Sequence, residues 1–214
     1  MPPTRTLIVV LLLSALPGPA SGHDASADEQ PLAPIFNGRD FTGWKREEGP
    51  FWRVEDGVLV GENDAAMRGS MLYTDRDYGD FVVELEFRAA GEVDSGIMVR
   101  KPELQVQIGV SRSLKRDMTC SFYTGHYPEE GRATRAPELL QPGGWNRVRL
   151  EARGDTFTVW LNGEQVSRYT GETSAHPAPI GLQIHRGLPM KIEFRNIRVG
   201  VPREPPQAST EPPR

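Results

Sequence analysis

The stretch Phe81-Val82-Val83-Glu84-Leu85-Glu86-Phe87-Arg88 decides the fold, because its apolar and charged residues alternate. Alternate residues of an extended chain point to opposite faces of a sheet. The sequence therefore predicts a strand with Phe81, Val83, Leu85 and Phe87 in a core and with Glu84, Glu86 and Arg88 on the other face. That charged row is either ordinary solvated surface or the floor of a polar groove, and both interpretations stay open.

Two hairpins extend this pattern along the chain. Asn162-Gly163 follows the alternating run Phe157-Thr158-Val159-Trp160-Leu161, and Asp56-Gly57 lies between two short apolar runs. Both dipeptides favour tight turns, because the central residues of such turns need positive φ. No comparably long segment has the 3.6-residue period of a helix. Further strand-like runs occupy residues 80–88, 96–100, 104–108, 146–153, 180–185 and 191–199.

The composition agrees with an all-β chain. The 22 Gly and 19 Pro residues of the 214 suit many turns between short strands. Ten or more strands around one core favour two packed sheets over one open sheet, whose unpaired edges would invite aggregation. The predicted fold is a two-sheet antiparallel jelly-roll sandwich. The single cysteine of the chain allows no intramolecular disulfide. The net charge of −4 argues against a nucleic-acid partner.

The chain divides into three predicted parts. Residues 1–22 carry Arg5, a short apolar run from Leu7 to Leu16 and a small-residue end, which is the pattern of a secretory signal peptide. The run of about ten apolar residues is too short to span a bilayer, which takes about twenty. We expect a periplasmic or secreted protein without a membrane span after processing, a β-sandwich over residues 33–200, and a disordered Pro-rich tail over residues 201–214.

Polar side chains recur on one face of several predicted strands. Gln105 and Gln107 lie opposite an apolar row, Gln183 shares a face with His185, and Arg100 shares one with Met98. Planar hydrogen-bonding groups on adjacent strands are what a concave sugar-binding sheet needs to hold ring hydroxyls. His185 ends a strand before a Gly-containing loop, so it is either a structural histidine or a residue at the mouth of a site.

Common catalytic and metal motifs are absent from the sequence. There is no HExxH, no CxxC and no histidine pair at metal-ligand spacing, so the sequence requires no metal or other cofactor. There is also no GxSxG motif, and Cys120 lies in a strand-like context that favours packing over nucleophilic attack.

Seven stretches of the chain form a recognisable pattern when they are taken together. They are Pro34-Ile35-Phe36-Asn37-Gly38-Arg39-Asp40-Phe41-Thr42-Gly43-Trp44, Trp52-Arg53-Val54-Glu55-Asp56-Gly57-Val58-Leu59, residues 78–88, Ser95-Gly96-Ile97, Trp145-Asn146, Val159-Trp160-Leu161-Asn162-Gly163 and Glu193-Phe194-Arg195-Asn196-Ile197. In this order and spacing they resemble one family, the 3-keto-disaccharide hydrolase domain. That domain is a concanavalin-A-like jelly roll of secreted bacterial proteins, and the resemblance runs from about Pro34 to Val199.

The resemblance implies action on a glycoside whose C3 hydroxyl has been oxidised to a ketone. Such a reaction needs a base for the C2 proton and a group that stabilises the enolate oxygen. Glu86 or His185 is the expected base, and Arg100 or Arg88 is the expected enolate partner, with a divalent cation as an alternative stabiliser. The expected substrate-binding residues are Glu84, Arg88, Gln105, Gln107 and Gln183.

One segment departs from the family pattern. Where many members read like Glu-Val-Gln-Ile-Leu-Asp, this chain has Gln105-Val106-Gln107-Ile108-Gly109-Val110, without either carboxylate. An amide can hydrogen-bond a sugar, but it cannot take a proton as a carboxylate does. The sequence therefore favours two functions, a 3-keto-glycoside hydrolase or lyase and a noncatalytic carbohydrate-binding module. A third, an interaction domain in a cell-surface assembly, fits the fold but has no residue signal.

Overall fold

The computed structural model describes residues 31–101, 103–171 and 176–202. The predicted signal peptide and all but two residues of the predicted tail lie outside this part of the chain.

The described residues form fifteen strands, a 3₁₀ turn at Glu129–Gly131 and the short helix α1 at Ala136–Leu139. No helix within them is long and apolar enough to cross a membrane. The strands are β1 (Ala33–Pro34), β2 (Trp44–Arg46), β3 (Trp52–Glu55), β4 (Val58–Glu62), β5 (Ser70–Tyr78), β6 (Phe81–Ala89), β7 (Asp94–Val99), β8 (Leu104–Ser111), β9 (Arg116–Asp117), β10 (Phe122–Tyr123), β11 (Asn146–Arg153), β12 (Thr156–Leu161), β13 (Glu164–Thr170), β14 (Ala178–Ile184) and β15 (Lys191–Gly200).

These strands form two antiparallel sheets, which confirms the predicted sandwich. The first sheet has the order β13-β12-β11-β6-β15-β4-β3, with β1 paired to β15. The second sheet has the order β10-β8-β7-β14-β5-β2, with β9 paired to β8. Every strand pairing in the described residues is antiparallel. Strands adjacent in space are often distant in sequence, as a jelly roll requires.

The core lies between the sheets and is filled from both inner faces. Phe81, Val83, Leu85 and Phe87 are at most 4% exposed, as the alternation in β6 predicted. From the second sheet, the apolar row of β8 is completely buried. Burial of one such large apolar side chain contributes about 1.5 to 3 kcal/mol to folding. The core therefore fixes the register of both sheets, since a slip of one residue would expose these side chains.

Both predicted hairpins are present. Asp56 and Gly57 have φ values of 49° and 81°, and Asn162 and Gly163 have values of 51° and 95°. Two successive residues at positive φ give the turn that matches the right-handed twist of the flanking strands. The dipeptides therefore join β3 to β4 and β12 to β13 as their chemistry indicates.

Candidate functional site

Each sheet has one outer face, and the structure divides the predicted site residues between these two faces. Glu84, Glu86 and Arg88 lie on the outer face of the first sheet, because β6 belongs to that sheet. Gln105, Gln107 and Gln183 belong to β8 and β14 of the second sheet. The expectation that the β6 charges and the glutamines share one site is therefore wrong. A period of two indicates which residues of a strand face outward, but it does not indicate to which sheet the strand belongs.

The charges of β6 pair with arginines and carboxylates of the neighbouring strands. Glu84 binds Arg147 of β11, Glu86 binds Arg195 of β15, and Arg88 binds Glu193 of β15. These ion pairs cross the first sheet from strand to strand. The row is a paired, partly solvated surface, which was one of the two interpretations of the sequence.

Arg100 also departs from its expected position. Arg100 directly follows β7 and has a φ of 64°, which breaks the alternation of the strand. Its side chain therefore does not lie on the same face of the sheet as the side chain of Met98. Its Nη2 donates to Asp80 Oδ1 at 2.9 Å, and its guanidinium lies 5.6 Å from the ring centre of the core residue Phe157. Arg100 is 3% exposed. It is therefore part of the protein interior and does not join the glutamines.

The three glutamines do come together, on the outer face of the second sheet. Gln105 Nε2 donates to Gln107 Oε1 at 2.7 Å and to Gln183 Oε1 at 3.3 Å. Gln107 Nε2 in turn donates to Asp94 Oδ1 at 2.8 Å. We call Asp94, Gln107, Gln105 and Gln183 the amide network. Its first three members are at most 6% exposed, although they lie on an outer face.

Asp94 is a site residue that the sequence analysis missed. It begins β7, two residues before Gly96 and four before Met98, so alternation places all three on the same face. Its position directly before the Ser95-Gly96-Ile97 stretch was a signal that could have identified it. The second sheet therefore does carry a carboxylate beside the glutamines, one strand away from the position that Gln105 occupies.

The hydrogen bonds of the network run in one direction. The Asp94 carboxylate accepts, so Gln107 turns its NH₂ group to Asp94 and its oxygen to Gln105. Gln105 must then present its NH₂ group to the oxygens of Gln107 and Gln183. Within the described residues, this arrangement leaves Gln105 Oε1 as an acceptor and Gln183 Nε2 as a donor for a ligand.

Two glycines let side chains lie flat across this face. A Cβ on Gly96 would lie 2.5 Å from Gln105 Nε2, and a Cβ on Gly181 would lie 2.5 Å from the Tyr73 ring. The amide of Gln105 therefore rests on β7 and the ring of Tyr73 rests on β14. An aromatic ring beside hydrogen-bonding amides is suited to the two kinds of surface that a sugar ring presents, its C–H face and its hydroxyl groups.

Tyrosines border the amide network on both sides. Tyr73 OH donates to Glu103 Oε2 at 3.3 Å, and burial, followed by the charge of Glu103, raises the pKa of Tyr73 to about 12. On the other side, the rings of Tyr123 and Tyr127 have their centres 4.9 Å apart. Burial is the main reason that the pKa of Tyr127 is raised to about 12. Tyr73 and Tyr127 are therefore neutral hydrogen-bonding groups at neutral pH.

An open cleft of about 550 Å³ adjoins one end of the network. We call it the His185 cleft; residues 66–69, Arg112 and residues 185–187 line it. The backbone N–H of His185 donates to the carbonyl oxygen of Asp94 at 3.2 Å, which places His185 beside the network. His185 Nδ1 lies 2.8 Å from the carbonyl oxygen of Arg186. Because a carbonyl only accepts, Nδ1 carries the proton and Nε2 is the basic nitrogen of the neutral ring.

The possible metal ligands and the lone thiol of the described residues can be examined directly. In the described residues, no three or more His, Cys, Asp or Glu side chains are placed to hold a metal ion. Cys120 is completely buried, and its burial raises the pKa of the thiol. Such a thiol is a poor nucleophile, because the thiolate is the reactive form.

The two antiparallel sheets define a protein of the jelly-roll class, and the outer face of the second sheet is lined by amides. The family model for the 3-keto-alpha-glucoside-1,2-lyase-like domain matches residues 31–200. The chain belongs to this family, which confirms the resemblance seen in the sequence. No curated protein matches the chain.

Solved structures of low sequence identity share the fold. One candidate glycosyl hydrolase from Parabacteroides distasonis is 22% identical with a TM-score of 0.58, over 78% of this chain and 92% of that chain. A second from the same organism is 20% identical with a TM-score of 0.61, over 80% and 100%. A beta-glucanase from Bacillus licheniformis is 13% identical with a TM-score of 0.57, over 78% and 96%. These similarities establish a shared fold.

Proposed function

We propose that the protein cleaves glycosides of 3-keto sugars on the outer face of its second sheet. The observation that carries this proposal is that His185 lines a cleft beside the amide network while its Nδ1 is held by the carbonyl oxygen of Arg186, which leaves Nε2 as the basic nitrogen. The network offers an acceptor and a donor for ring hydroxyls, and the histidine offers a base. Family membership supplies the ketone chemistry that such a base could serve.

The proposed reaction begins at C2, whose hydrogen is acidified by the C3 carbonyl. His185 Nε2 takes this proton, and the electron pair of the C2–H bond moves into an enolate with its charge on the C3 oxygen. Re-formation of the carbonyl creates the C1–C2 double bond and breaks the bond from C1 to the leaving oxygen, which receives a proton. Addition of water across C1 and C2 then gives net hydrolysis. The ketone is already present in the substrate, so the cleavage consumes no redox cofactor.

Residues of the second sheet have separate roles in this proposal. Gln105 Oε1 and Gln183 Nε2 hold ring hydroxyls, and the Tyr73 ring supports the apolar face of the sugar. Arg112 lines the His185 cleft and replaces Arg100 as the positive group that stabilises the enolate oxygen. Glu86 has no role in this mechanism, because it lies on the opposite outer face.

We also propose that the protein is exported to the periplasm or the medium and is processed near Gly22. The apolar run that precedes Gly22 is followed by small residues, as signal-peptidase sites are. Mass spectrometry of the exported protein should find an N-terminus close to residue 23. An intact Met1 terminus on exported protein would contradict this.

One observation favours a second candidate, a noncatalytic carbohydrate-binding module. The segment from Gln105 to Val110 lacks the carboxylates of the family pattern, and an amide network binds sugars without any proton transfer. In that case the outer face of the second sheet would hold a sugar, and His185 would only anchor its loop through Arg186.

Incubation with a chromogenic 3-keto-glucoside and with the matching unoxidised glucoside separates the two candidates. The enzyme proposal predicts aglycone release from the 3-keto substrate alone. A parallel reaction with EDTA and with added divalent cations tests the alternative in which a cation stabilises the enolate. Absence of release under all conditions, together with measurable sugar binding, would overturn the enzyme proposal in favour of the binding module.

A further inference from the structure

The His185 cleft carries positive charge that carboxylates do not balance. Three arginines line it, and of these Arg68 is paired with Asp64 at 2.6 Å. Among the described residues, no carboxylate lies within ion-pair distance of the Arg112 or Arg186 side chain. Asp94 is hydrogen-bonded to the backbone of Arg112, but it is 5% exposed and its carboxylate also accepts a hydrogen bond from Gln107. Two exposed guanidinium groups therefore face the cleft without a partner anion.

The loops around the cleft are fixed by hydrogen bonds within the protein. Asn63 Nδ2 donates to the carbonyl oxygens of Arg68 at 2.6 Å and His185 at 2.9 Å. Arg112 Nη1 donates to the carbonyl oxygens of Arg186 and Gly187. A Cβ on residue 187 would lie 2.9 Å from Arg112 Nη1, so glycine permits this approach. A preformed cleft binds a ligand without an additional cost for ordering its loops.

Hydrogen bonds at Asp94 connect the residues of the cleft to the amide network. The backbone N–H groups of His185 and Arg112 both donate to Asp94, at 3.2 Å to its carbonyl oxygen and 3.2 Å to Oδ2. Gln107 binds the other carboxylate oxygen of Asp94 at 2.8 Å. The same buried residue therefore positions both the amide network and two of the residues that line the cleft.

We propose that the His185 cleft binds the carboxylate of an acidic sugar, so that the substrate class is a uronate-containing glycoside. This inference rests on the proposed function, because it names the substrate class of the same site. A guanidinium group presents parallel N–H donors that match the two oxygens of a carboxylate, and an ammonium group does not. The partner charge would come from the ligand, since the described part of the chain supplies none to Arg186.

Isothermal titration of the mature protein with unoxidised sugars tests this proposal without any need for turnover. The probes are methyl glucuronide, the neutral methyl glucoside, and methyl glucoside 6-sulfate. A guanidinium–carboxylate contact adds charge-assisted hydrogen bonds that the neutral sugar lacks, so the glucuronide should bind about tenfold more tightly than the glucoside, a difference of about 1.4 kcal/mol. That advantage should shrink as salt is added, because the cleft is open to solvent.

The Arg186→Gln variant should lose the preference for the glucuronide and keep its affinity for the neutral glucoside. Arg168→Gln, on the exposed surface of β13, is the matched control and should keep the preference. Equal affinity for glucuronide and glucoside, no measurable glucuronide binding, stronger binding of the sulfate than of the glucuronide, or a preference that survives Arg186→Gln would each overturn the proposal. If the wild-type protein prefers the glucuronide but does not cleave 3-keto-glycosides, the proposed catalytic function is wrong and the proposed binding of acidic sugars stands.

Discussion

The amide nitrogen of Gln105 explains why a carboxylate is unsuitable at this position. Nε2 carries two hydrogens and lies 2.7 Å from Gln107 Oε1 and 3.3 Å from both Gln183 Oε1 and the carbonyl oxygen of Ser95, so the two longer contacts share a hydrogen. A carboxylate oxygen placed there would face three acceptors inside a region that is 6% exposed. The carboxylate that the family pattern has at this point is therefore incompatible with the network that Asp94 organises.

Gln105→Glu should consequently destabilise the protein. Each buried polar group that loses its partner costs about 1 to 3 kcal/mol, and this substitution removes both N–H donors that the surrounding oxygens share. Chemical denaturation should show a loss of at least about that size. Gln165→Glu, at an exposed position of β13, is the control and should change stability little. Unchanged stability of Gln105→Glu would mean that the hydrogen bonds of Gln105 do not have the direction described.

At the scale of the strand, β6 places its apolar row between the sheets. Phe87 is 4% exposed, and Phe194 of β15 lies opposite it in the first sheet. Replacement of a buried Phe by Ala removes apolar contacts and leaves a cavity, which costs about 3 to 5 kcal/mol. We expect Phe87→Ala to lose stability in that range in urea denaturation, with Arg168→Ala as an exposed control. A loss below about 1 kcal/mol would contradict the register of β6.

Substitution of a glycine in β7 or β14 should affect the outer face of the second sheet and not the core. A Cβ on Gly96 would displace the end of the Gln105 side chain, which is flexible enough to move. Gly96→Ala should therefore weaken sugar binding by about tenfold, the equivalent of one hydrogen bond of about 1.4 kcal/mol, and should also lower stability, because it disturbs the same hydrogen bonds of Gln105. Gly79→Ala, where a Cβ would meet only Pro177 at 3.9 Å, is the control. Equal sugar affinity in Gly96→Ala and wild type would exclude Gln105 from the binding surface.

The strands were largely predictable from alternation, and their exceptions have physical reasons. β5 was missed because two of its inward residues, Ser70 and Thr74, are polar. Both are satisfied inside the protein: Ser70 Oγ accepts from Trp52 Nε1 at 3.1 Å, and Thr74 Oγ1 accepts from the Ile180 N–H at 3.0 Å. A hydrophobic period cannot reveal a strand whose buried groups are held by such hydrogen bonds.

The candidate site was predictable only in part. Alternation correctly placed Gln105 and Gln107 on one outward face, but it could not show that Glu86 faces outward from the other sheet. The buried position of Arg100 was not predictable, because its own positive φ ends the alternation of β7. Which strands are neighbours depends on contacts between residues far apart in sequence, and local patterns do not contain that information.

At the scale of the molecule, the two outer faces have different chemistry. On the first sheet, carboxylates and arginines neutralise one another, and Trp145 lies between Arg88 and Arg195, whose guanidinium carbons are 4.6 Å and 4.0 Å from its ring centre. On the second sheet, the amide network leaves a donor and an acceptor for a ligand beside a positively charged cleft. The second face is therefore the one suited to a polar ligand.

The most direct test compares His185→Ala with Glu86→Gln in the turnover of a 3-keto-glucoside. His185→Ala should lower turnover by about 10² to 10⁴-fold, the usual contribution of a general base. Glu86→Gln breaks a partly exposed ion pair with Arg195, worth about 0 to 1 kcal/mol, and should keep both the fold and near wild-type turnover. A large loss in Glu86→Gln with full activity in His185→Ala, in variants that melt like wild type, would contradict the placement of the chemistry on the second sheet.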